Sequence, residues 1–111
     1  MTYETVWAQA MDAGEMAAMA CTPTPMIVQG YEDQPVWDGV CGFASVRYKG
    51  NTGFGRWARK TGRAEKSYSG GLYTYVSGYG QSYERKKAFA QGFAAVLQAN
   101  GVDAWVDARI D

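Results

Sequence analysis

CGFASVRYK, residues 41–49, alternates in side-chain character from one position to the next. Ala44, Val46 and Tyr48 fall on one side, and Phe43, Ser45, Arg47 and Lys49 on the other. A period of two is the signature of a strand with two unlike faces. Gly50-Asn51-Thr52-Gly53 breaks the pattern, and residues 54–61 then space Phe54, Trp57 and Ala58 as a short basic helix would. Residues 65–69 and 72–77 predict a hairpin around Gly70-Gly71, with Leu72, Thr74 and Val76 opposite Tyr73, Tyr75 and Ser77. Ser82 caps a helix predicted over 83–100, whose Phe89, Phe93, Val96, Leu97 and Asn100 recur at helical spacing. Residues 103–110 alternate again, Ala104, Val106, Ala108 and Ile110 against Trp105, Asp107 and Arg109.

From residue 41 the predicted order is strand, helix, strand, strand, helix, strand. That order predicts an α+β fold of the ferredoxin-like (split βαβ) kind, an antiparallel-dominated sheet with helices on one face. Upstream, Thr2 caps a further helix over residues 3–20, with Val6, Trp7, Ala10, Met11, Ala13, Ala17 and Ala20 as its apolar stripe. Met11, Met16 and Met19 read as core filler. Gly14 weakens the middle of this helix, and Thr22-Pro23-Thr24-Pro25 ends it. Residues 26–28 predict a short strand and 29–39 a loop. The 111 residues are the size of one domain, 1–111, with the helix and loop of 1–40 added to the core of 41–111.

Composition removes several classes of function. No apolar run approaches the roughly 18–20 residues of a membrane span. The N-terminal segment has no basic residue ahead of an apolar stretch, so it reads as part of the folded domain rather than a secretory leader. Without histidine, Ser-His-Asp and Cys-His catalysis are excluded, and two cysteines alone do not make a zinc site. Cys21 and Cys41 read as reduced thiols, as in a cytoplasmic protein. Glu84, Asp103, Asp107 and Asp111 make no acid/base pair by spacing. The expectation is a protein that is not an enzyme and holds no metal and no cofactor.

Charge is unevenly placed. Residues 1–38 carry six acidic side chains (Glu4, Asp12, Glu15, Glu32, Asp33, Asp38) and no basic one. Residues 39–88 carry ten basic side chains against Glu65 and Glu84, so a segment of −6 precedes one of +8. Either an anionic partner meets the middle segment or the acidic segment folds over it. If the helices cover one sheet face, the other presents Phe43, Arg47, Lys49, Lys66, Tyr68, Tyr73, Tyr75, Trp105 and Arg109. Rings interleaved with cations suit single-stranded nucleic acid, since rings stack on bases and cations meet phosphates. The N-terminal helix, a second subunit forming a homodimer, or another ligand would cover the same face equally well. Arg85, Lys86 and Lys87 stand in the first turn of a helix, where the macrodipole disfavours positive charge, so an anionic contact would explain them. The alternative is a solvated surface run.

Two resemblances accompany these readings. Gly50-Asn51-Thr52-Gly53-Phe54-Gly55 resembles the phosphate-binding glycine fingerprint and the GxxG loop of RNA-binding KH domains, although a plain turn explains it as well. Asp38-Gly39-Val40-Cys41-Gly42-Phe43-Ala44, Tyr68 with Gly70-Gly71, Gln81-Ser82 with Arg85-Lys86, Ala90, Phe93-Ala94, Val96-Leu97, Gly101, and Arg109 with Asp111 resemble a family of small, largely uncharacterised phage and prophage proteins. This chain has Ala108-Arg109 where the family pattern has Ser-Arg. The resemblance implies a cytoplasmic setting in a bacterial host cell. It also implies an accessory binding protein that meets nucleic acid or a nucleic-acid-handling host complex.

Overall fold

The structure is a computed structural model and describes residues 2–37 and 39–111. Asp38, part of the acidic tally and the first residue of the phage-like pattern, lies outside the described residues. The elements are α1 (Tyr3–Ala20), β1 (Gly42–Tyr48), α2 (Gly53–Lys60), β2 (Glu65–Lys66), β3 (Leu72–Tyr75), α3 (Tyr83–Ala99) and β4 (Ala104–Ile110). Among the described residues the fold is α+β, with three helices and a four-stranded antiparallel sheet in the order β2-β3-β1-β4. β1 is central, pairing with β3 on one side (Val46 opposite Thr74) and with β4 on the other (Val46 opposite Val106).

The helices begin where side chains can take up orphan N–H groups. Thr2, Thr52 and Ser82 accept from the backbone N–H three residues on, at 3.1, 3.0 and 3.3 Å. All three helices lie on the sheet face of Ala44, Val46 and Tyr48. α3 packs across β1 and β4. Phe54 of α2 meets Tyr48 with ring centres 5.4 Å apart, and Trp7 of α1 meets Phe93 edge-on at 4.9 Å. The core joins Val6, Ala10, Val46, Tyr48, Phe54, Leu72, Phe93 and Leu97.

α1 crosses α3 closely because both present glycine there. A Cβ on Gly14 would sit 2.9 Å from the Phe89 ring, and one on Gly92 would sit 2.6 Å from the Ala13 carbonyl oxygen. Gly14, which lowers helix propensity, therefore makes room for Phe89. The buried stripe of α1 is Val6, Ala10, Gly14 and Ala18. Of the expected stripe Val6 and Ala10 are buried, Trp7 and Met11 pack on the core, Ala13 and Ala17 are half-buried, and Ala20 is exposed.

Several expectations are corrected. Residues 26–28 form no strand, only a single bridge from Met26 to Val36, and Ile27 and Val28 are exposed. Met16 and Met19 are exposed, and only Met11 of the three packs on the core. They point away from α3, which takes one face of α1 only. The hairpin is shorter than its alternation: β2 is two residues long, since Ser67 and Gly71 close a turn by a backbone bond of 3.0 Å. Ile110, expected in the core, is exposed at the end of the edge strand β4.

Candidate functional site: an open aromatic sheet face beside a basic groove

The face of the sheet opposite the helices is uncovered. Phe43 of β1, Tyr75 at the end of β3 and Trp105 of β4 are 42%, 58% and 46% exposed, although each is paired in the sheet. The alternative that the N-terminal helix shields these rings is removed, because α1 lies against α3 on the far side. A recess of about 370 Å³ opens here, walled by Phe43, Arg47, Ser67, Tyr68, Tyr73, Tyr75, Asp107 and Arg109. None of the described residues of the first forty lines it.

Antiparallel register brings these groups together. Arg47 stands opposite Tyr73 on β3 and Trp105 on β4, and Phe43 stands opposite Arg109. The guanidinium of Arg47 is held in place: Nε donates to Asp107 at 2.8 Å and Nη1 to Ser67 Oγ at 2.9 Å, with Tyr73 5.8 Å away. Tyr73 and Tyr75 meet edge-on at 4.9 Å, so the two rings are not parallel steps. The Tyr73 hydroxyl donates to Glu65 at 2.9 Å, and that bond holds its pKa above the ordinary tyrosine value. Arg109 lies 6.0 Å from the Phe43 ring centre, a cation–π distance. Tyr68 stands fully in solvent, in the turn after β2 rather than in a strand. Lys66 pairs with Leu72, so its register puts it with the helix side, at the rim shared by this recess and the next.

Around the β2 edge lies a shallow groove of about 800 Å³, lined by Lys49, Gly50, Asn51, Arg56, Arg59, Lys60, Lys66, Gly71 and Leu72. Five of its nine lining residues are cations and none is acidic. Lys49 reaches Asp103 at 3.7 Å, and Arg56 donates to the Asn51 carbonyl at 3.1 Å. Among the described residues no carboxylate is within ion-pair distance of Arg56, Arg59, Lys60 or Lys66. The sequence places these cations in a basic stretch, but nothing in it sets them across a groove from Lys66. What it does show, by helical spacing, is that Arg56, Arg59 and Lys60 share a helix side. The ion pairs among the described residues use Asp103 and Asp107, and none joins a described acidic residue of the N-terminal segment to the basic middle.

The glycine-rich loop has a steric account. A Cβ on Gly55 would run into the Lys49 carbonyl, and Thr52 Oγ1 already takes the Gly55 N–H. Lys86, expected to meet an anion, is buried at 8% exposure and donates to the Gly42 carbonyl at 3.1 Å, with Phe43 5.5 Å away. An internal carbonyl therefore explains its place in the first turn of α3. Arg85 is half-buried, and Lys87 lies 5.7 Å from the Tyr83 ring centre, so the three cations do not form one patch with the sheet face. Glu84, in the same turn, accepts from the Thr24 N–H and ties the N-terminal loop to α3.

Cys21 and Cys41 are free thiols. Among the described residues no group of three or more His, Cys, Asp or Glu side chains could hold a metal ion, and no helix is long and apolar enough to cross a membrane. The chain matches no family model, and no curated protein and no solved structure shows significant similarity to it.

Proposed function

We propose that the chain is a non-catalytic binding module for single-stranded nucleic acid, with the open sheet face as stacking platform and the basic groove as the track for the phosphate backbone. The observation that carries this reading is the adjacency of the two surfaces. Exposed Tyr75, Phe43 and Trp105 lie one, two and three strands from the β2 edge, around which runs a groove whose charged lining side chains are all cations. Base–aromatic stacking is tolerant of sequence, and a cationic groove tracks the backbone. Read from the other edge the sheet order is β4-β1-β3-β2, with α2 joining β1 to β2 and α3 joining β3 to β4. We read this as the split βαβ, ferredoxin-like arrangement. Four-stranded RNA-recognition sheets stack bases on aromatic residues, and that likeness supports the reading by analogy alone. The resemblance to small phage and prophage proteins fits an accessory role in a bacterial host cell.

The test is a titration of labelled single-stranded DNA and RNA at several salt concentrations. Affinity should fall steeply with salt, with each phosphate contact contributing about −0.7 to the log–log slope. A triple variant, Arg59→Gln, Lys60→Gln and Lys66→Gln, should flatten the slope and leave the fold intact. Tyr75→Ala and Trp105→Ala should each weaken binding by roughly 1–3 kcal/mol per stacked base with the slope unchanged. Absence of binding to either strand type at about 50 mM salt overturns the reading, and a host protein complex then becomes the partner to seek.

A further inference from the structure

We infer that β4 pairs with β4 of a second copy across a two-fold axis at Ala108, joining two sheets into one of eight strands. The argument rests on the backbone of the edge and is independent of any ligand. β4 is seven residues long and forms one edge of the sheet, with no proline, no lysine and no bulge in it to prevent pairing. The Asp111 N–H donates to the Cys41 carbonyl at 3.0 Å, so odd-numbered residues of this segment point their backbone groups at β1. The even-numbered ones, 104, 106, 108 and 110, point theirs outward.

Side-chain direction then selects one register. Antiparallel self-pairing that uses outward groups can centre on an even residue, or on an odd one set directly against its own copy. Centred on Asp107 or Arg109, it would oppose two carboxylates or two guanidiniums. Centred on Trp105, it would pair Ala104 with Val106 and so need the Ala104 carbonyl, as the next register does. Centred on Val106, it would need the Ala104 carbonyl, which already accepts from Gln98 Nε2 at 2.7 Å. Centred on Ala108, it uses residues 106, 108 and 110, leaving that bond in place. In this register Val106 faces Ile110 of the second copy on the helix side, which covers an isoleucine left 60% exposed in the single chain. On the open side Asp107 faces Arg109 of the second copy, twice across the axis, so opposite charges are directly opposed. Arg47 engages Oδ2 of Asp107, which leaves the other carboxylate oxygen for that contact. The two aromatic faces would lie on the same side of the joined sheet.

Sedimentation equilibrium should show a monomer–dimer equilibrium. Arg109→Asp, which sets two carboxylates against each other in this register, should raise the dissociation constant about tenfold or more while leaving the melt of the monomer, taken at low concentration, unchanged. Register is read separately by cysteine pairing in a Cys21→Ser, Cys41→Ala background. Ala108→Cys should oxidise to a covalent dimer, since directly opposed hydrogen-bonded residues lie about 5.5 Å apart at Cα, within disulfide reach. Val106→Cys should not, because its two copies would stand four residues apart along the ladder, ~13 Å. A wild-type chain that stays monomeric at on the order of 100 µM, with no cross-link at position 108, overturns the inference. So does a dimer that survives Arg109→Asp and is lost with Tyr75→Ala, because it would be built on the sheet face instead.

Discussion

Tyr48 is fully buried at the end of β1, yet its hydroxyl is satisfied by Thr74 Oγ1 at 2.7 Å, which in turn donates to the Arg63 carbonyl at 2.9 Å. Burial holds the phenol above its ordinary pKa of 10.0, with the Thr74 bond opposing. A group whose folded pKa is raised contributes stability that is full below the unfolded value and is lost as pH rises through the folded one. Stability should therefore be flat to about pH 10 and fall beyond it. Tyr48→Phe should cost on the order of 1 kcal/mol at neutral pH, for the lost hydrogen bond, while making the alkaline decline shallower. Denaturant titrations of both proteins between about pH 8 and 11 check this. Lys86 shows the limit of residue-level reading. Its position in a first turn was legible as an anomaly, but its partner is a carbonyl 44 positions earlier in the chain, and no local pattern marks it.

At the scale of elements, α3 holds the helical layer to the sheet. Phe93 is 1% exposed between Trp7 and Phe89, so Phe93→Ala should lose about 3–5 kcal/mol, measured by chemical denaturation. The crossing with α1 makes a second prediction with opposing terms. Gly92→Ala gains up to about 1 kcal/mol of helix propensity. It also drives a Cβ against the backbone of a neighbouring helix, and overpacking of that kind costs about 1–3 kcal/mol. The backbone cannot swing aside as a side-chain tip would, so the variant should melt below wild type. β1, α3 and β4 were legible because period two and period 3.6 persist through seven or more residues in each. The 26–28 segment misled because a run of three apolar residues carries no period at all. β2 was overextended because Ser67 and Ser69 keep up a strand-like alternation while their hydroxyls close a turn.

For the whole molecule, alternation sorts the sheet into two faces and so places Phe43, Arg47, Tyr73, Tyr75, Trp105 and Arg109 on one of them, but not Lys66, which its register puts with the helices, nor Tyr68, which stands in a turn. It did not show which face α1 would take, since an amphipathic helix fits an apolar sheet and a helical layer alike. That single choice decides whether Phe43, Tyr75 and Trp105 meet solvent. The groove was less legible than the face, because it gathers α2 and β2 across a loop that the charge pattern does not describe. The union of α1 with α3 also has a consequence for how the chain is made. α1 leaves the ribosome before α3, and the helix that packs against Val6, Ala10, Gly14 and Ala18 is completed some eighty residues later. At about 5–20 residues per second, that face waits on the order of ten seconds without its partner. The nascent chain therefore exposes the apolar stripe of α1 until α3 has emerged, and is open to chaperone capture throughout that interval.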